Sequence, residues 1–582
     1  MKQQYGYYVV ILCVLLLLHN PCRANSKLQI EGINNHTLQR NLRTCLSNIS
    51  SENEIITSTR FHNKVNKIVR KCLRAFGYYE PTITFKFKKS SNNNQDILII
   101  HINSGKPVKI ADINVTLHGE AKQDNDYLEW VKKGKLTLGK VLNHYDYDKF
   151  KDGFSILALQ KGYFDAIFRK SQLSVVPSIY QSYWNIDFDS GQRYHFGEFR
   201  IHGSQIRNDY LYNLANIKIG DPYHAESLAI LNNRLAATNW FNSIVISTNL
   251  SSDQESCALI LDTVVTPRTR NGIEVGIGYT TDIGPRATTT WNKPWLNSRG
   301  HSFQTSLSLS ELEQTADLHY KIHLVKDPFE QYYLLQVGLK RENLNHSQSY
   351  SNILNIARYW NFSHNWQKIL NFRWSLNHFI QNEFTDTTML IYPSISLNRT
   401  RQKDGLMPMW GDSQLYSIDI SHTVLGSNIN FIIFKVQTVW IRPLTEKHRF
   451  IARGNFGWIE TNNFERIPPL LRFFAGGDRS IRGYKYKSLS SWRNSEKPTG
   501  ASKLGIGSLE YQYNILGKWW SAMFIDSGEA ADHIKWNNFK TGAGIGIRWQ
   551  SIIGPIKLDM AAPMTEQYKF GIHFYIGLGS EL

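Results

Sequence analysis

The chain of 582 residues and 67.3 kDa is too long for one compact domain, so several domains are expected. A mean hydropathy of −0.36 excludes a membrane protein built of many apolar helices, and a charged fraction of only 20% argues against a wholly disordered chain. The net charge of +18 suits either nucleic acid or anionic lipid headgroups, while 13% aromatic residues and 39 Gly favour a large β protein.

The first residues have the pattern of an export signal. Lys2 precedes an apolar run at 9–18, which is too short to cross a bilayer as a helix but fits the apolar core of a signal peptide. Cys22 and Ala24 supply small residues at −3 and −1, so we expect a signal peptide at 1–24. A lipid-modified Cys22 is the disfavoured alternative, because the three residues before it lack the small side chains of such a site.

Three segments of about 80 residues then follow the same order of elements. Each opens with a short strand ending in glycine, and these glycines (Gly32, Gly119 and Gly203) are spaced 87 and 84 residues apart. Two helical patterns follow, for example 37–46 and 61–76, and then an aromatic pair and two strands. This order predicts three α+β repeats, each with two helices on one face of a three-stranded sheet. The predicted repeats span residues 25–103, 104–189 and 190–266.

The sheet edges of these repeats are expected to remain unpaired. An open edge can accept an added strand from another polypeptide. The alternative is that the repeats form a rigid spacer without a binding role, and the residues favour neither interpretation.

Three cysteines lie beyond the expected signal peptide: Cys45, Cys72 and Cys257. Cys45 and Cys72 fall in neighbouring helical patterns of the first repeat, where they either form a disulfide in an oxidising compartment or remain two buried free thiols. No CxxC pair occurs, so a zinc site is not expected.

From about residue 268 the helical periodicity gives way to the two-residue alternation of β-strands. In the final segment, apolar residues at the even positions of 570–578 alternate with Gly, His, Tyr and Gly. About sixteen such segments fit an antiparallel transmembrane β-barrel over 267–582. A soluble sandwich would also bury an apolar face, but it does not need so many tryptophans near strand ends. The tryptophans expected at the headgroup girdles are Trp291, Trp295, Trp360, Trp366, Trp440, Trp458, Trp519 and Trp520.

The sequence contains few residue patterns that are typical of enzymes. The Gly-Asp-Ser sequence at 411–413 matches a lipase motif, but it falls in the barrel segment, so we interpret it as coincidence. The 19 His show no HExxH spacing, and the glycines at 542, 544 and 546 lie on a strand pattern without the following helix that a phosphate site requires. We expect no catalytic residue, no metal and no cofactor.

One stretch interrupts the strand pattern. It contains Phe-Phe-Ala-Gly-Gly at 473–477 and Ile-Arg-Gly-Tyr at 481–484, followed by Lys-Tyr-Lys. These motifs resemble the sixth extracellular loop of the outer-membrane protein-assembly superfamily, which contains BamA, TamA and the two-partner-secretion pores. The residues at 524–528, an aromatic followed by Asp-x-Gly, resemble the second motif of that superfamily, on its thirteenth strand.

The resemblance covers the whole chain and implies that the three repeats are POTRA domains. Three is the number in the TamA branch. In this superfamily the sixth loop folds into the lumen, so the resemblance implies that Arg482 meets Asp526 there. Gly483, Tyr484 and Gly528 belong to the same two motifs.

The resemblance also implies a function without covalent chemistry, namely the insertion of nascent outer-membrane proteins such as autotransporters. A lateral gate between the first and last strands is implied, and glycines that weaken a strand lie in both: Gly276, Gly278, Gly571 and Gly577. The implied partners are a TamB-like inner-membrane protein, the client proteins and outer-membrane lipid; no nucleic acid is expected. The barrel would lie in the outer membrane and the repeats in the periplasm.

Three alternatives remain at this stage. One is a pore that secretes a single cognate partner, another is a nutrient porin, and the third is a component that moves phospholipid through the envelope. Three repeats disfavour the secretion pore, and a porin has no use for a periplasmic arm.

Overall fold

The computed structural model describes most of the chain in two compact units. The first unit comprises residues 1–198, 218–227 and 249–260, and the second comprises 199–217, 228–248 and 261–582, so the third repeat is divided between them. The described residues are 27–47, 58–88, 97–250, 257–344, 347–362, 365–403, 405, 407–492, 498–551, 554–565 and 571–578. The expected signal peptide lies outside the described residues.

The first repeat consists of β1 (Lys27–Glu31), α1 (His36–Ser47), α2 (Thr59–Ala75), β2 (Thr82–Lys88) and β3 (Ile97–Asn103). Its sheet has the order β1-β3-β2, with β1 parallel and β2 antiparallel to β3. Both helices bury residues spaced four apart, which places one apolar stripe of each against the sheet. Cys45 and Cys72 form a disulfide between α1 and α2, with their Cα atoms 6.8 Å apart.

The second repeat has the same topology. It consists of β4 (Lys109–His118), α3 (Asn125–Lys135), α4 (His144–Lys161), β5 (Ile167–Val176) and β6 (Gln181–Asp189), with the sheet order β4-β6-β5. Its core is mainly aromatic, because Tyr127, Phe154, Trp184 and Phe188 are all buried between the helices and the sheet. Gly162 ends α4 in the left-handed conformation, with φ at +86°.

The third repeat consists of β7 (His195–His202), α5 (Asn208–Ala215), α6 (Ala225–Ala237), β8 (Phe241–Leu250) and β9 (Ala258–Pro267), with the sheet order β7-β9-β8. All three repeats therefore follow the predicted order of strand, helix, helix, strand, strand. No helix in the described part of the chain is both long enough and apolar enough to cross a membrane.

Sixteen antiparallel strands follow, each paired with its neighbour in chain order from β10 to β25. This confirms the predicted barrel and its strand number. The strands are β10 (Gly272–Thr280), β11 (Gly284–Lys293), β12 (Ser302–Ser310), β13 (Glu313–His323), β14 (Gln331–Leu344), β15 (Ser347–Phe362), β16 (Trp366–Gln381), β17 (Phe384–Lys403), β18 (Trp410–Ser421), β19 (Phe431–Thr445), β20 (His448–Thr461), β21 (Lys503–Leu516), β22 (Trp519–Ala531), β23 (Lys540–Ser551), β24 (Gly554–Pro563) and β25 (His573–Leu578).

The burial of the barrel strands is inverted relative to a soluble protein. On β16, Leu370 and Phe372 are 43% and 51% exposed, whereas Asn371 and Asn377 are 8% and 3% exposed. Because successive side chains on a strand point to opposite faces, the apolar face is the outer wall and the polar face lines a filled lumen. A soluble sandwich would bury the apolar face instead, so the barrel is built to lie in lipid.

Two tryptophans depart from the predicted girdle. Trp520 is only 7% exposed and lies on the lumenal face, with its ring centroid 5.1 Å from the guanidinium of Arg449. Trp295 lies in the turn after β11 and packs against the core of the third repeat. Alternation alone separates the two faces of a strand, but Trp519 and Trp520 are adjacent and only one of them can face lipid.

Within the second unit, the third repeat packs against turns of the barrel. Trp240 is fully buried, and its indole N–H donates to the Gly300 carbonyl at 2.9 Å. Asn213 donates to the Val325 carbonyl at 2.6 Å, in the turn after β13. We call this end of the barrel, where β10 begins, the periplasmic end.

Candidate functional site: a loop held in the barrel lumen

The described residues between β20 and β21, at 462–492 and 498–502, form the lumenal loop. Two short β-bridges organise it, Phe473 with Ala501 and Ala475 with Leu489. Ala475, Ile481 and Ala501 are fully buried together with residues of β21 and β22. An extracellular loop exposed to solvent would not bury its apolar residues, so this one fills the barrel interior.

Arg482 is the centre of the contacts made by the lumenal loop, and its side chain is 3% exposed. Its Nε and Nη2 donate to the two carboxylate oxygens of Asp526, at 2.7 and 2.9 Å, and its backbone N–H donates to the same group at 3.1 Å. Its Nη1 donates to Glu510 at 2.9 Å and to Asp559 at 3.3 Å. The guanidinium also lies 3.3 Å from the ring centroid of Phe524.

The pair belongs to a larger buried ion network. Arg548 donates to Asp559 through both terminal nitrogens and to Glu510 at 2.9 Å. Arg453 reaches Glu510 at 3.3 Å from the edge of the network. Three guanidinium groups thus meet three carboxylates, which balances their charges in a region from which water is largely excluded. The network joins the lumenal loop to β20, β21, β22, β23 and β24.

Gly483 has no room for a side chain. Its φ is +95°, and an added Cβ would lie 2.8 Å from the backbone carbon of Ala562 on β24. Its N–H donates to the Tyr575 hydroxyl at 3.0 Å, and that hydroxyl donates to the Tyr484 carbonyl at 2.9 Å. The last barrel strand therefore holds the loop directly beside Arg482.

The three atoms nearest to an added Cβ of Gly528, the other motif glycine, belong to β21 and not to the lumenal loop. Gly528 lies on β22, and an added Cβ would collide with the Gly505 carbonyl and lie 2.7 Å from the Cα of Ile506, both on β21. It allows β21 and β22 to approach closely next to Asp526. A second close approach involves Gly542 on β23, where a Cβ would collide with the carbonyl of Arg482.

The sheet begins at β10 and ends at β25, and among the described residues no ladder of hydrogen bonds joins these two strands. The Ile576 N–H of β25 donates to the Thr281 hydroxyl, just beyond β10, at 3.0 Å. In the next position of the same turn, Asp282 accepts the backbone N–H of Asp478 from the lumenal loop at 2.7 Å. The turn after β10 thus contacts both the last strand and the loop.

Burial raises the pKa of the Asp282 carboxyl, the hydrogen bond from the Asp478 backbone N–H lowers it, and the negative charge of Asp478 raises it, with a net pKa of about 6. Asp282 lies in the turn, outside the barrel strands.

The glycines expected at the gate have different environments. Gly276 and Gly278 lie on β10 with nothing within 4 Å of an added Cβ. Gly577 lies on β25, where an added Cβ would be 3.5 Å from the Asp478 carboxylate. The prediction for Gly571 is wrong in one respect, because β25 begins only at His573. Pairing of β25 with β24 starts at His573. The alternation of apolar residues predicts which way a side chain faces but not whether its backbone is paired, so it could not locate the start of the strand.

The sequence interpretation missed Glu510, Asp559, Arg548 and Arg453. Each is a charged residue on the lumenal face of its strand, and Glu510 lies in an alternating segment between Leu509 and Tyr511. A charged residue on the polar face of a strand pattern was the feature of the sequence that could have indicated a lumenal ion pair. It does not reveal the partner, because the strands are brought together only by closure of the barrel.

Comparison with known proteins identifies the family. The sequence model of the Omp85 superfamily domain matches residues 270–581, and the model of POTRA domain 1 of TamA matches residues 27–104. The chain belongs to the Omp85 superfamily. As in other members, the barrel lies in the outer membrane and the POTRA domains lie in the periplasm.

One curated relative and two solved structures share little sequence with this Omp85 protein. BamA of Nitratidesulfovibrio vulgaris is 26% identical over 150 residues, which is 24% of this chain and 19% of that protein, so the match spans about a fifth of the relative. The structure of Haemophilus ducreyi BamA lacking POTRA domains 1–3 is 13% identical with a TM-score of 0.57, and the alignment covers 95% of this chain and 99% of that one. CdiB from Acinetobacter baumannii is 12% identical with a TM-score of 0.46, covering 94% and 100%.

Proposed function

We propose that this protein is an outer-membrane assembly factor that inserts client barrel proteins, including autotransporters, through a seam between β10 and β25, without enzymatic chemistry. The observation that carries the proposal is the pairing of the sheet, in which every barrel strand has two hydrogen-bonded neighbours except β10 and β25. Each of these two strands has one backbone edge without a ladder partner among the described residues.

The free edges would lower the main barrier to insertion. An unpaired backbone group costs several kcal/mol in hydrocarbon, so a nascent strand cannot enter the membrane alone. A strand that first pairs with β10 or β25 satisfies one row of its donors and acceptors. Successive client strands can then add to the first until the new barrel closes.

The lumenal loop would control the seam from inside. It holds β25 through Tyr575 and contacts the turn after β10 through Asp282. It is also anchored away from the seam, on β21 and β22, through the buried Arg482. The loop therefore supports the last strand at the position where lateral pairing is absent.

We assign the protein to the TamA type within the superfamily, with a TamB-like inner-membrane protein as its partner. Three POTRA repeats and the match of residues 27–104 to the first POTRA domain of TamA support this assignment. In the first repeat, β1 and β2 are the edge strands and offer backbone groups to an added strand. A two-partner-secretion-type pore and a phospholipid-transfer component are the alternatives.

Locking the seam tests the proposal. Thr281→Cys and Ile576→Cys place thiols at the contact between the turn and the last strand, in a Cys257→Ser background that removes the free thiol. We expect the oxidised double variant to lose client insertion into liposomes and to regain it on reduction. The single-cysteine variants, treated identically, control for reduction of the Cys45–Cys72 disulfide. A fully cross-linked barrel that inserts clients at the normal rate would show that the seam is not used.

A further inference from the structure

A row of cations stacked on tryptophan rings lies on the outer wall of the barrel across β15–β19. We call it the cation–tryptophan belt. It consists of Arg358, Lys368, Arg399, Arg401, Lys403 and Arg442 with Trp360, Trp366, Trp410 and Trp440.

These side chains face outward by their position along the strands. On β15 and β16 they share the even-numbered face with Ile356 and Phe372, which are 55% and 51% exposed. On β17 they share the odd-numbered face with Ile395 and Leu397, which are 49% and 37% exposed. The belt is therefore continuous with the lipid-facing surface.

The belt lies at the periplasmic end of the barrel. β15 and β17 run toward that end and carry their cations in their last residues, while β16 and β18 begin there with Trp366 and Trp410. Tryptophan and basic side chains at a strand end lie at the depth of lipid headgroups. The belt is thus level with the periplasmic leaflet.

The rings and the cations are in direct contact. The Arg358 guanidinium is 4.6 Å from the centroid of Trp360, and the Arg399 guanidinium is 4.6 Å from that of Trp366. Arg442 lies between Trp410 and Trp440, at 4.9 and 4.8 Å. Stacking fixes the guanidinium planes against the wall. Some of their N–H groups donate to neighbouring protein groups, as the Nη1 of Arg442 does to the Gly411 carbonyl at 2.6 Å.

The cations exceed the acids in the belt. Asp412 is the one carboxylate on the outward faces of β15–β19, and Arg401 binds it with two nitrogens, at 2.9 and 2.7 Å. Arg399 and Arg442 are farther from it, at 3.5 and 3.9 Å. Terminal nitrogens of Arg358 and Arg399 also donate to the Tyr333 hydroxyl at 3.1 Å and to the Gln414 side chain at 3.2 Å, which are neutral groups. The belt therefore carries surplus positive charge.

We propose that the cation–tryptophan belt binds the headgroup phosphate of an anionic glycerophospholipid in the periplasmic leaflet. A phosphodiester supplies acceptor oxygens for several guanidinium groups, and its acyl chains would lie on the adjacent apolar wall. An anionic headgroup matches the net charge of the belt better than a zwitterionic one. This inference does not depend on client insertion.

The test measures lipid binding to the full chain in detergent micelles, with phosphatidylglycerol and phosphatidylcholine titrated separately and followed by native mass spectrometry. The triple variant Arg358→Gln, Lys368→Gln and Arg399→Gln keeps Arg401 on Asp412. We expect each lost cation to weaken phosphatidylglycerol binding about fivefold, so that the triple variant binds it roughly a hundredfold more weakly. Phosphatidylcholine should bind weakly to both proteins.

Arg341→Gln is the matched control. Arg341 also faces lipid and lies 5.4 Å from the Tyr350 ring, but it is on β14 toward the opposite end of the barrel. It should leave phosphatidylglycerol binding unchanged, while the heat-dependent gel mobility of all variants reports folding. Equal binding of the two lipids, wild-type affinity in the folded triple variant, or an equal loss in the control would overturn the proposal. So would a preference of the belt for lipid A.

Discussion

At the scale of single residues, Arg482 is held by more acids than a simple ion pair would supply. Its guanidinium contacts Asp526, Glu510 and Asp559, and Arg548 shares the last two. Removing any one member leaves charge that neither water nor another side chain can fully compensate.

We predict that Arg482→Ala and Asp526→Ala each lower the free energy of unfolding by about 3–5 kcal/mol, because each leaves a buried partner charge. The measurement is urea unfolding of the barrel, followed by its heat-dependent gel mobility. Arg453→Ala should cost much less, because Arg453 is 21% exposed and contacts Glu510 only at 3.3 Å.

The double variant of Arg482 and Asp526 distinguishes a coupled pair from two independent sites. We expect its destabilisation to be clearly smaller than the sum of the single effects, because one interaction is lost in either case. Strict additivity would mean that the two residues stabilise the barrel separately.

Gly483 tests the fit of the loop against β24. We predict that Gly483→Ala destabilises the barrel, because a Cβ would press on the Ala562 backbone in addition to straining a φ of +95°. Gly426 is the matched control, with a φ of +91° and only the tip of Ile391 at 3.4 Å. The difference between their unfolding midpoints measures the collision; equal midpoints would leave backbone strain as the whole effect.

At the scale of elements, the turn after β10 connects the first hairpin, the last strand and the lumenal loop. Its Asp282 has a pKa of about 6, against an ordinary 3.8. An acid with a raised pKa in the folded protein binds its proton more tightly there than in the unfolded chain. The contribution of Asp282 to the free energy of unfolding is therefore fully present below about pH 4 and is lost as the pH rises to about 6.

We predict that the Asp282→Asn variant loses this part of the pH dependence. Asparagine keeps an acceptor for the Asp478 N–H but has no charge to titrate. The measurement is the difference in unfolding midpoint between the two proteins at intervals from pH 4 to pH 7. As the pH rises, the unfolding midpoint of the variant should increase relative to that of the wild type. Parallel plots of midpoint against pH would show that the Asp282 carboxyl does not titrate in this range.

The predictable part of the structure is the part that is periodic along the chain. The spacing of leucines and valines in α1 and α2 predicted helices, and the alternation after residue 268 predicted the barrel strands. Resemblance to a known family pointed to Arg482 and Asp526, which the structure brings together. The remaining acids of the network could not be paired from the sequence, because Glu510 and Asp559 lie on strands that meet the loop only in the folded barrel.

At the scale of the whole molecule, the part of the third repeat that lies in the second unit is tied to the barrel by hydrogen bonds to turn carbonyls and, among the described residues, by the Arg234–Glu330 ion pair. Trp240 and Asn213 donate to carbonyls of barrel turns, and Arg234 pairs with Glu330 at 3.2 Å. Every residue has a backbone carbonyl, so these contacts require no particular residue in the turns. The sequence therefore did not predict that the repeat packs against them. The burial of Trp240 makes it the main anchor.

We predict that Gly300→Ala loosens the third repeat, because a methyl group there would collide with the Trp240 ring. Gly405→Ala is the control, in another turn at the same end, with φ at +65° instead of +70° and nothing within 4 Å. Protease cleavage between β9 and β10 should become faster in the first variant only. Equal cleavage of both would place the anchor elsewhere.

The hydroxyl of Tyr575 lies between Gly483 and Tyr484, so residence of the loop in the lumen and the position of β25 share the same two hydrogen bonds. Thermodynamic reciprocity follows from this shared contact. If departure of the loop from the lumen makes displacement of β25 more favourable by a certain factor, displacement of β25 by a client makes departure of the loop more favourable by the same factor. A client that pairs with β25 from the membrane side would thus favour release of the lumenal loop without contacting it. A ligand that binds the lumenal loop from outside the cell would change the affinity for the client by the same factor.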